Sequence, residues 1–516
     1  MTILCKLRND VKNLAMLGLV LVLVISPFGS GASGDEKVPR EKSPQPTLLA
    51  DACELNQWMA VKKLLTDGSD ANEKQVDGMT PLLWATYADH AQTVEILIKA
   101  GADASATNRY GVMALSLACC NGNATIVKML LDAGADANAE LPGGESVLLT
   151  AARTGQPAAV ELLLDRGAKV NHQERKGQTA TMWAAAEGNV NVLKLLLDAG
   201  ADFQNALDSG FTPLMFAVRE GELEATECLL SRGVDVNSVM TPRRDGAKSP
   251  RKGISPLLLA VENGHFDLAV KLLEAGADPN DQRSGFTALH TLTWVRKPNR
   301  GDSADGDPAP IGSGRLDSLQ FARKLVQLGA DVNLRLKQGS SGRGKLNHRG
   351  ATALMFAAKT GDMPLLKLLL QLGADPAIPN ADHCTPLLAA AGIGTLAPGE
   401  EAGTEDEAIE AVKLLISLGG NVNHTDDNGE TAMHGAAYKS LPKVVRLLAA
   451  HGADIQVWNT KNKHGWTPIL IAEGHRPGNF KPSVETLSAL HDEMKARGIT
   501  PPKRTPRENR KGYDQK

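Results

Sequence analysis

Apolar and polar positions along most of the chain fall into short blocks, each with two apolar clusters. In one block, Ala184-Ala185-Ala186 is followed by the polar turn Glu187-Gly188-Asn189 and then by Val192, Leu195 and Leu196. Apolar residues three or four positions apart lie on one face of an α-helix. The pattern therefore predicts a succession of short helix–turn–helix units.

Glycines mark these units at a fixed period. A first glycine recurs every 33 residues, at Gly78, Gly111, Gly144, Gly177 and Gly210. A second glycine follows each first one after 23 residues, at Gly101, Gly134, Gly167, Gly200 and Gly233. The same two glycines return later as Gly253 with Gly276, Gly285 with Gly329, Gly350 with Gly373, and Gly429 with Gly452.

The residues after each first glycine predict where a helix starts. Elements such as Thr80-Pro81-Leu82 and Thr212-Pro213-Leu214 recur there. A threonine hydroxyl can cap a helix, and proline fits the first helical position. The second glycine can end the second helix in a left-handed conformation. One such unit cannot bury its own apolar face, so the units are expected to stack.

This pattern resembles the ankyrin repeat, which has a period of 33, a T-P-L-H-x-A motif, a turn and two helices. The resemblance covers about residues 47–498 in about twelve units, from a finger-less first unit at Leu48–Val76 to a last unit starting at Trp466. It implies an all-α solenoid: helix–turn–helix pairs with β-hairpin fingers, stacked into a curved superhelix.

The two ends of the chain differ from the repeats. Residues 1–33 carry Lys6, Arg8 and Lys12, then the apolar run Leu14–Ile25, then small residues. This is the order of a signal peptide, and 12 apolar residues fall short of the roughly 20 that span a bilayer. A periplasmic or secreted protein is predicted; the alternative is anchoring by an uncleaved N-terminal helix. Residues 34–46 read as a flexible linker and 499–516 as a disordered basic tail.

Composition narrows the partners. Charged residues make up 22% of the chain, and the net charge of −3 argues neither for nor against a nucleic-acid partner at the level of the whole chain. No specific nucleic-acid partner is expected. After signal removal no integral membrane span is expected either. Five cysteines remain, an odd number that is not a disulfide framework. Cys119 and Cys228 are predicted to be buried free thiols.

Four insertions interrupt the period. Those near 238–252 and 335–349 lengthen two fingers and carry basic residues, among them Arg243, Arg244, Arg335 and Lys337. They are either solvated surface charge or a site for an acidic partner. Those near 294–317 and 394–407 lie inside units, between the two helices, and the second is acidic. In an ankyrin stack these two flaps should lie on the edge opposite the fingers.

No catalytic constellation emerges. The sequence contains no GxSxG, HExxH or GxxxxGK[ST] motif, so no enzyme activity, cofactor or metal is predicted. His290 and His434 occupy the histidine of the repeat motif, where the resemblance implies structural hydrogen bonds. The aromatic residues Trp84, Trp183, Phe216 and Phe356 are expected in the core.

The resemblance also implies where binding occurs, on the fingers and the exposed face of each first helix. The ninth residue after each first glycine, called position nine below, is expected to face a concave groove. These residues are Tyr87, Cys120, Arg153, Ala186, Arg219, Glu262, Trp294, Lys359 and Tyr438. The residue directly after the glycine is also expected to be exposed, with bulky cases at Met79, Phe211, Phe286 and Trp466. Tyr, Trp and Arg dominate binding hot spots.

The sequence thus favours an exported scaffold that binds a protein partner, which is expected to be acidic if it meets the basic fingers. A regulatory or chaperone-like subunit of an envelope enzyme complex is the alternative. An enzyme whose site is built from the inserted flaps is a third hypothesis.

Overall fold

A computed structural model describes residues 48–243, 252–298, 308–342, 345–399, 401–475 and 481–503. These residues form 25 helices and no strand. In chain order the helices are α1 (Leu49–Glu54), α2 (Trp58–Thr66), α3 (Pro81–Tyr87), α4 (Ala91–Lys99), α5 (Ala114–Asn121), α6 (Ala124–Asp132), α7 (Val147–Thr154), α8 (Pro157–Asp165), α9 (Ala180–Ala186), α10 (Val190–Asp198), α11 (Pro213–Glu220), α12 (Leu223–Ser231), α13 (Pro256–Glu262), α14 (Phe266–Glu274), α15 (Ala288–Arg296), α16 (Ser318–Gln327), α17 (Ala353–Thr360), α18 (Met363–Gln371), α19 (Pro386–Ala391), α20 (Glu405–Ser417), α21 (Ala432–Lys439), α22 (Pro442–Ala450), α23 (Ile455–Trp458), α24 (Pro468–Ala472) and α25 (Val484–Ala496).

The helices form consecutive pairs, α1/α2 through α21/α22 and then α24/α25, with the single turn α23 before the last pair. The first helix of each pair packs on the first helix of the next, as α3 does on α5, and second helices pack on second helices in the same way. One apolar cluster runs from Leu49 to Met494. The predicted all-α solenoid is therefore confirmed.

The helix starts follow the predicted chemistry. The Thr80 hydroxyl accepts a hydrogen bond from the N–H of Leu83, and Thr212 does the same for Met215. Pro81 and Pro213 stand at the first helical position. In α5, Met113 stands at the cap and offers no such oxygen. The repeat therefore supplies its own helix caps in nearly every unit.

The fingers without an insertion are tight hairpins that are too short to form strands. In one of them the N–H of Asn108 donates to the Val112 carbonyl at 3.0 Å, and the N–H of Gly111 donates to the Asn108 carbonyl at 3.0 Å. Gly111 has φ of +74°, which a side chain rarely adopts. The period-33 glycine is thus required by the turn of each finger.

Asparagine side chains join one unit to the next. Four residues after a second glycine, the amide Nδ2 donates to the carbonyl of the next unit's second glycine, and Oδ1 accepts from a backbone N–H of that unit. Asn171, for example, bonds Gly200 at 3.2 Å and Asp202 at 2.7 Å. We call this pair of bonds the asparagine clasp. It recurs at Asn72, Asn138, Asn171, Asn237, Asn280, Asn333 and Asn423.

The two insertions inside units have different bounds from those expected. Trp294 lies within α15, so that insertion begins after Arg296. Glu405, Asp406 and Glu407 form the first turn of α20, where acidic side chains favour the helix dipole, so the acidic flap ends at Thr404. It begins at Gly392, where α19 stops in a left-handed conformation.

The insertion that follows α15 docks on earlier units. The N–H of Ser313 donates to Nδ1 of His265 at 2.9 Å, and the N–H of Leu316 donates to the Asp267 carboxylate at 3.0 Å. Gly312 lies directly against Gly264. Residues 308–317 therefore bind to the helix–helix turns of two preceding units instead of projecting freely.

Candidate functional site

We define the first-helix face as the solvent side of the first helices α3, α5, α7, α9, α11, α13, α15, α17, α19 and α21. Position nine falls in or near the last turn of each of these helices. Among the described residues, the structure places Arg219 and Cys120 exposed, and Tyr87, Arg153, Trp294 and Lys359 half-buried. These side chains lie on one continuous surface because first helices pack on first helices.

Arg153 is held over an aromatic ring of the next unit. Its guanidinium carbon lies 5.3 Å from the centre of the Trp183 ring, and its Nη2 lies 3.4 Å from the Glu145 carboxylate. A guanidinium over an indole is attracted by the ring's electron-rich face. Trp183, which was expected in the core, is only half-buried. It serves as a platform because its exposed face carries the arginine.

Arg219 repeats this arrangement two units later. Its guanidinium carbon lies 5.1 Å from the Phe216 ring centre and 5.3 Å from that of Phe211, and its Nε donates to Glu220 at 2.7 Å. Phe216 is buried, as predicted, but so is Phe211, which was expected to be exposed. Because Arg219 covers both rings, its charged guanidinium is exposed at the surface and the rings are not.

Tyr87 stands at the start of the face. Its ring meets Trp84 edge to face at 5.8 Å. The Trp84 Nε1–H donates to Gln75 at 2.7 Å, which fixes the indole. Trp84 is half-buried and packs against the core, where it was expected. Met79, in the same unit, was expected to be exposed but is buried, because the next finger covers it: Asn108 Nδ2 contacts its sulfur at 3.5 Å.

Trp294 and Phe286 belong to an aromatic cluster that is partly covered. Their rings meet edge to face at 4.8 Å, and His348 from the finger 335–349 contacts Phe286 at 5.6 Å and Phe356 at 5.1 Å. Burial lowers the pKa of His348, and the nearby Lys359 lowers it further. The finger therefore bends over the first-helix face at this point.

The last two position-nine residues are already bound within the chain. Lys359 donates to Glu401 of the acidic flap at 2.6 Å. Tyr438 was expected to be exposed, but it is fully buried because its hydroxyl donates to Glu430 at 2.7 Å and accepts from Asn462 at 3.0 Å. Burial raises the pKa of Glu430 to about 7.

The basic fingers are only partly described. Arg243 is exposed and pairs with Asp208 at 2.9 Å, and Arg244 lies outside the described residues. Arg335 donates to the carbonyls of Gly350 and Pro379 at 3.2 and 3.0 Å, so it joins two fingers. Lys337 is exposed. A role for these residues in binding an acidic partner stays a prediction.

Two histidines have the structural role expected of them. His290 Nδ1 lies 2.7 Å from the Thr287 hydroxyl, and its Nε2 lies 3.2 Å from the Ala351 carbonyl. His434 makes the equivalent contacts with Thr431 and Thr460. Burial lowers the pKa of each to about 4. Neutral imidazoles at these positions connect each unit to the segment that follows it.

The described residues offer little for chemistry. They contain no group of three or more His, Cys, Asp or Glu side chains placed to hold a metal ion. Cys119 and Cys228 are buried free thiols, as predicted, and Cys120 is exposed. None of the described helices has the length and apolar character needed to cross a bilayer.

Sequence reasoning missed Lys439 and Glu401. Lys439 follows a position-nine tyrosine and sits at the end of α21, where basic residues are common on helix surfaces. Only the length of the flap hinted that something covers the face there. Gly394 of the flap packs against Leu346 of the finger 335–349, so the flap and this finger meet instead of lying on opposite edges.

Comparisons with known proteins agree with this architecture. A family model described as ankyrin repeats in three copies matches residues 49–140, 148–240 and 402–491. A model for the single ankyrin repeat matches residues 252–283 and 349–381.

Curated relatives match over short stretches. The B-cell lymphoma 3 protein homolog of Mus musculus is 34% identical over 131 residues, which are 25% of this chain and 26% of that protein. Inversin of Canis lupus familiaris is 29% identical over 178 residues, 34% of this chain and 14% of that protein. The matched region thus spans only 26% and 14% of these relatives. The crystal structure of the human ASB11 ankyrin repeat domain is 26% identical with a TM-score of 0.39, covering 46% of this chain and 100% of that one.

Proposed function

This chain belongs to the ankyrin-repeat family, and from that premise we propose that it is an exported interaction scaffold that binds an extended segment of a protein partner on the first-helix face between α3 and α13. Arg153 and Arg219 are the anchors of this surface. The family supports protein binding as the function. The location of the site and the export of the protein are our proposal.

The pair of stacked arginines carries this proposal. Their side chains are 34% and 42% exposed, while aromatic rings beneath them restrict their motion. A restricted side chain loses less conformational entropy on binding, and arginine is enriched at binding hot spots. Each guanidinium pairs with a glutamate on its own surface, which a partner's carboxylate or backbone carbonyl can replace.

Export is supported by the N-terminal sequence alone. The basic start, the apolar run Leu14–Ile25 and the small residues after it have the order of a signal peptide. These residues lie outside the described part of the chain. An envelope location also keeps the alternative of a regulatory or chaperone-like subunit of an enzyme complex, which would use the same surface.

Reversing both anchor charges tests the site. We expect Arg153→Glu with Arg219→Glu to weaken partner affinity by about tenfold or more, because two hot-spot contacts become repulsive. The measurement is calorimetric titration with the partner purified from the envelope fraction of the source cells.

A matched control reverses two arginines away from the face. Arg166 and Arg232 follow the second helices α8 and α12, pair with Asp132 and Asp198, and are similarly exposed. Arg166→Glu with Arg232→Glu should leave affinity unchanged. Equal affinity for both double variants would remove Arg153 and Arg219 from the site.

A further inference from the structure

The first-helix face is covered between α17 and α21 by the chain itself. The acidic flap, residues 392–404, leaves the end of α19 and returns to start α20. Ile393, Thr395 and Ala402 of the flap are buried, and Gly394 packs against the buried Leu346 of the finger 335–349. This cover consists of residues that are inserted into the repeat, so the stack of helices does not need them to complete a unit.

Three lysines converge beneath this cover. Lys297, Lys359 and Lys439 stand at or next to the C-terminal ends of α15, α17 and α21. The Lys439 ammonium donates to the Lys359 carbonyl at 3.2 Å, and the Lys297 ammonium lies 3.4 Å from the Gly361 carbonyl. Burial lowers the pKa of Lys439 to about 8, and Lys359 adds to the effect. Positive charge is therefore concentrated beneath the flap, where it is shielded from solvent.

The flap satisfies two of these lysines, Lys359 and Lys439, as a bound peptide would. Glu401 accepts from Lys359 at 2.6 Å, and the carbonyl of the next residue, Ala402, accepts from Lys439 at 2.9 Å. The N–H of Leu396 also donates to the Glu401 carboxylate, at 3.1 Å. Among the flap residues that the structure describes, Glu401 alone carries charge into the site, and the second contact is to the backbone.

The charged side chains at this site that do not belong to the flap do not balance one another. Glu407, in the first turn of α20, accepts from Lys297 at 2.5 Å. Arg296 and Asp362 form a bidentate pair at 2.7 and 2.9 Å and so cancel each other. Among the described residues, three lysines therefore face one glutamate once Glu401 is removed. What the flap offers these lysines is a carboxylate followed by a backbone carbonyl.

We propose that Lys297, Lys359 and Lys439 form a second docking site, for an acidic extended segment of a partner protein, and that Glu401 and Ala402 occupy this site in cis. A partner segment with a carboxylate next to a small residue displaces the flap and takes over its contacts. The site is distinct from the arginine surface between α3 and α13, and it does not depend on that surface.

The test uses a peptide copied from the chain. A fluorescent peptide of residues 395–404 is titrated into the wild-type protein and into Glu401→Gln, which weakens the flap's hold while keeping its shape. We expect Glu401→Gln to bind the peptide about tenfold more tightly than the wild type, because its competitor in cis has lost its charge. Adding Lys359→Met should abolish the gain, and higher salt should reduce it.

Controls separate this site from other causes. A peptide with both glutamates replaced by glutamine should bind neither protein, and Arg153→Glu with Arg219→Glu should leave peptide affinity unchanged. Equal affinity of the charged peptide for wild type and Glu401→Gln, or equal binding of the uncharged peptide, would overturn the proposal. If Glu401→Gln does not fold, the measurement is hydrogen exchange of the amides of residues 393–403 in the wild-type protein. Saturating peptide should accelerate this exchange, because it displaces the flap. Unchanged exchange would overturn the proposal.

Discussion

The asparagine clasp shows how much one side chain contributes to a stack of this kind. Each clasp makes two hydrogen bonds across a unit boundary, as Asn138 does to Gly167 and Lys169. A net contribution of about 1 kcal/mol for a typical hydrogen bond makes each clasp matter to the coupling of neighbouring units. The same position holds Ser105, Gln204, Ala377 and Gln456 in other units. A cavity of about 130 Å³ borders Ala377, lined also by Pro376, Leu415 and Gly420.

Restoring a clasp should stabilise the protein. Ser105 already has its N–H bonded to Asp103, the same local turn that holds Asn72, so Ser105→Asn places an amide within reach of Gly134. We expect a gain of about 1 kcal/mol in unfolding free energy, and a loss of similar size for Asn171→Ala. Urea unfolding followed by circular dichroism measures both.

Ser105→Gln is the matched control, since its amide lies one carbon further from the backbone. It should give no gain. A stabilisation by glutamine equal to that by asparagine would show that the clasp geometry is not the cause.

For single residues, the sequence predicted the place of a residue within its unit better than it predicted the solvent exposure of the side chain. The glycine period identified position nine in nine of the about twelve units, because the period is a property of the backbone. Exposure there depends on neighbours far along the chain: Tyr438 is buried because Asn462, from the next finger, bonds its hydroxyl. Phe211 is buried by a nearer neighbour, because Arg219 of the same unit lies over its ring.

At the scale of elements, the insertions are docked parts of the structure. The interrupted glycine period predicted the lengths of the insertions, but it did not predict where they pack in the structure. Ser313 contacts His265 and Gly221, which lie 48 and 92 residues away. No local pattern encodes such contacts, because they depend on which turns the stack brings together. The helices themselves were predictable because caps, glycines and apolar spacing agree within each unit.

Undocking the insertion after α15 tests this description. A Cβ on Gly312 would lie 1.8 Å from the Gly264 carbonyl oxygen, so Gly312→Ala cannot keep the present contact. We expect the amides of Ser313 and Leu316 to exchange about tenfold faster or more, because their acceptors on His265 and Asp267 move away. Hydrogen-exchange mass spectrometry measures this.

Gly143→Ala is the matched control, because a Cβ on Gly143 meets nothing within 4 Å. It should leave exchange in residues 308–317 unchanged. Unchanged exchange in Gly312→Ala as well would mean that the insertion is held by other contacts.

At the scale of the whole molecule, the first-helix face has two parts. Between α3 and α13 it presents Arg153 and Arg219 on aromatic rings, and beyond α17 the finger 335–349 and the acidic flap cover it. The repeated unit made the solenoid predictable from the sequence. The division of its surface into an open and a covered part was not predictable, because the cover forms where two irregular segments, the finger 335–349 and the acidic flap, meet.

Cross-linking from one position on the open part of the first-helix face tests whether the partner binds there. Cys120 is exposed on this face, whereas Cys53, Cys119, Cys228 and Cys384 are buried. In a Cys5→Ser background, a benzophenone maleimide attached to Cys120 is irradiated with the envelope fraction. The comparison protein carries Cys120→Ser and Glu161→Cys, which moves the probe to the exposed side of the second helix α8. We expect a discrete adduct from Cys120, absent with Arg153→Glu and Arg219→Glu, and none from position 161. Adducts from position 161 with none from Cys120 would contradict this expectation.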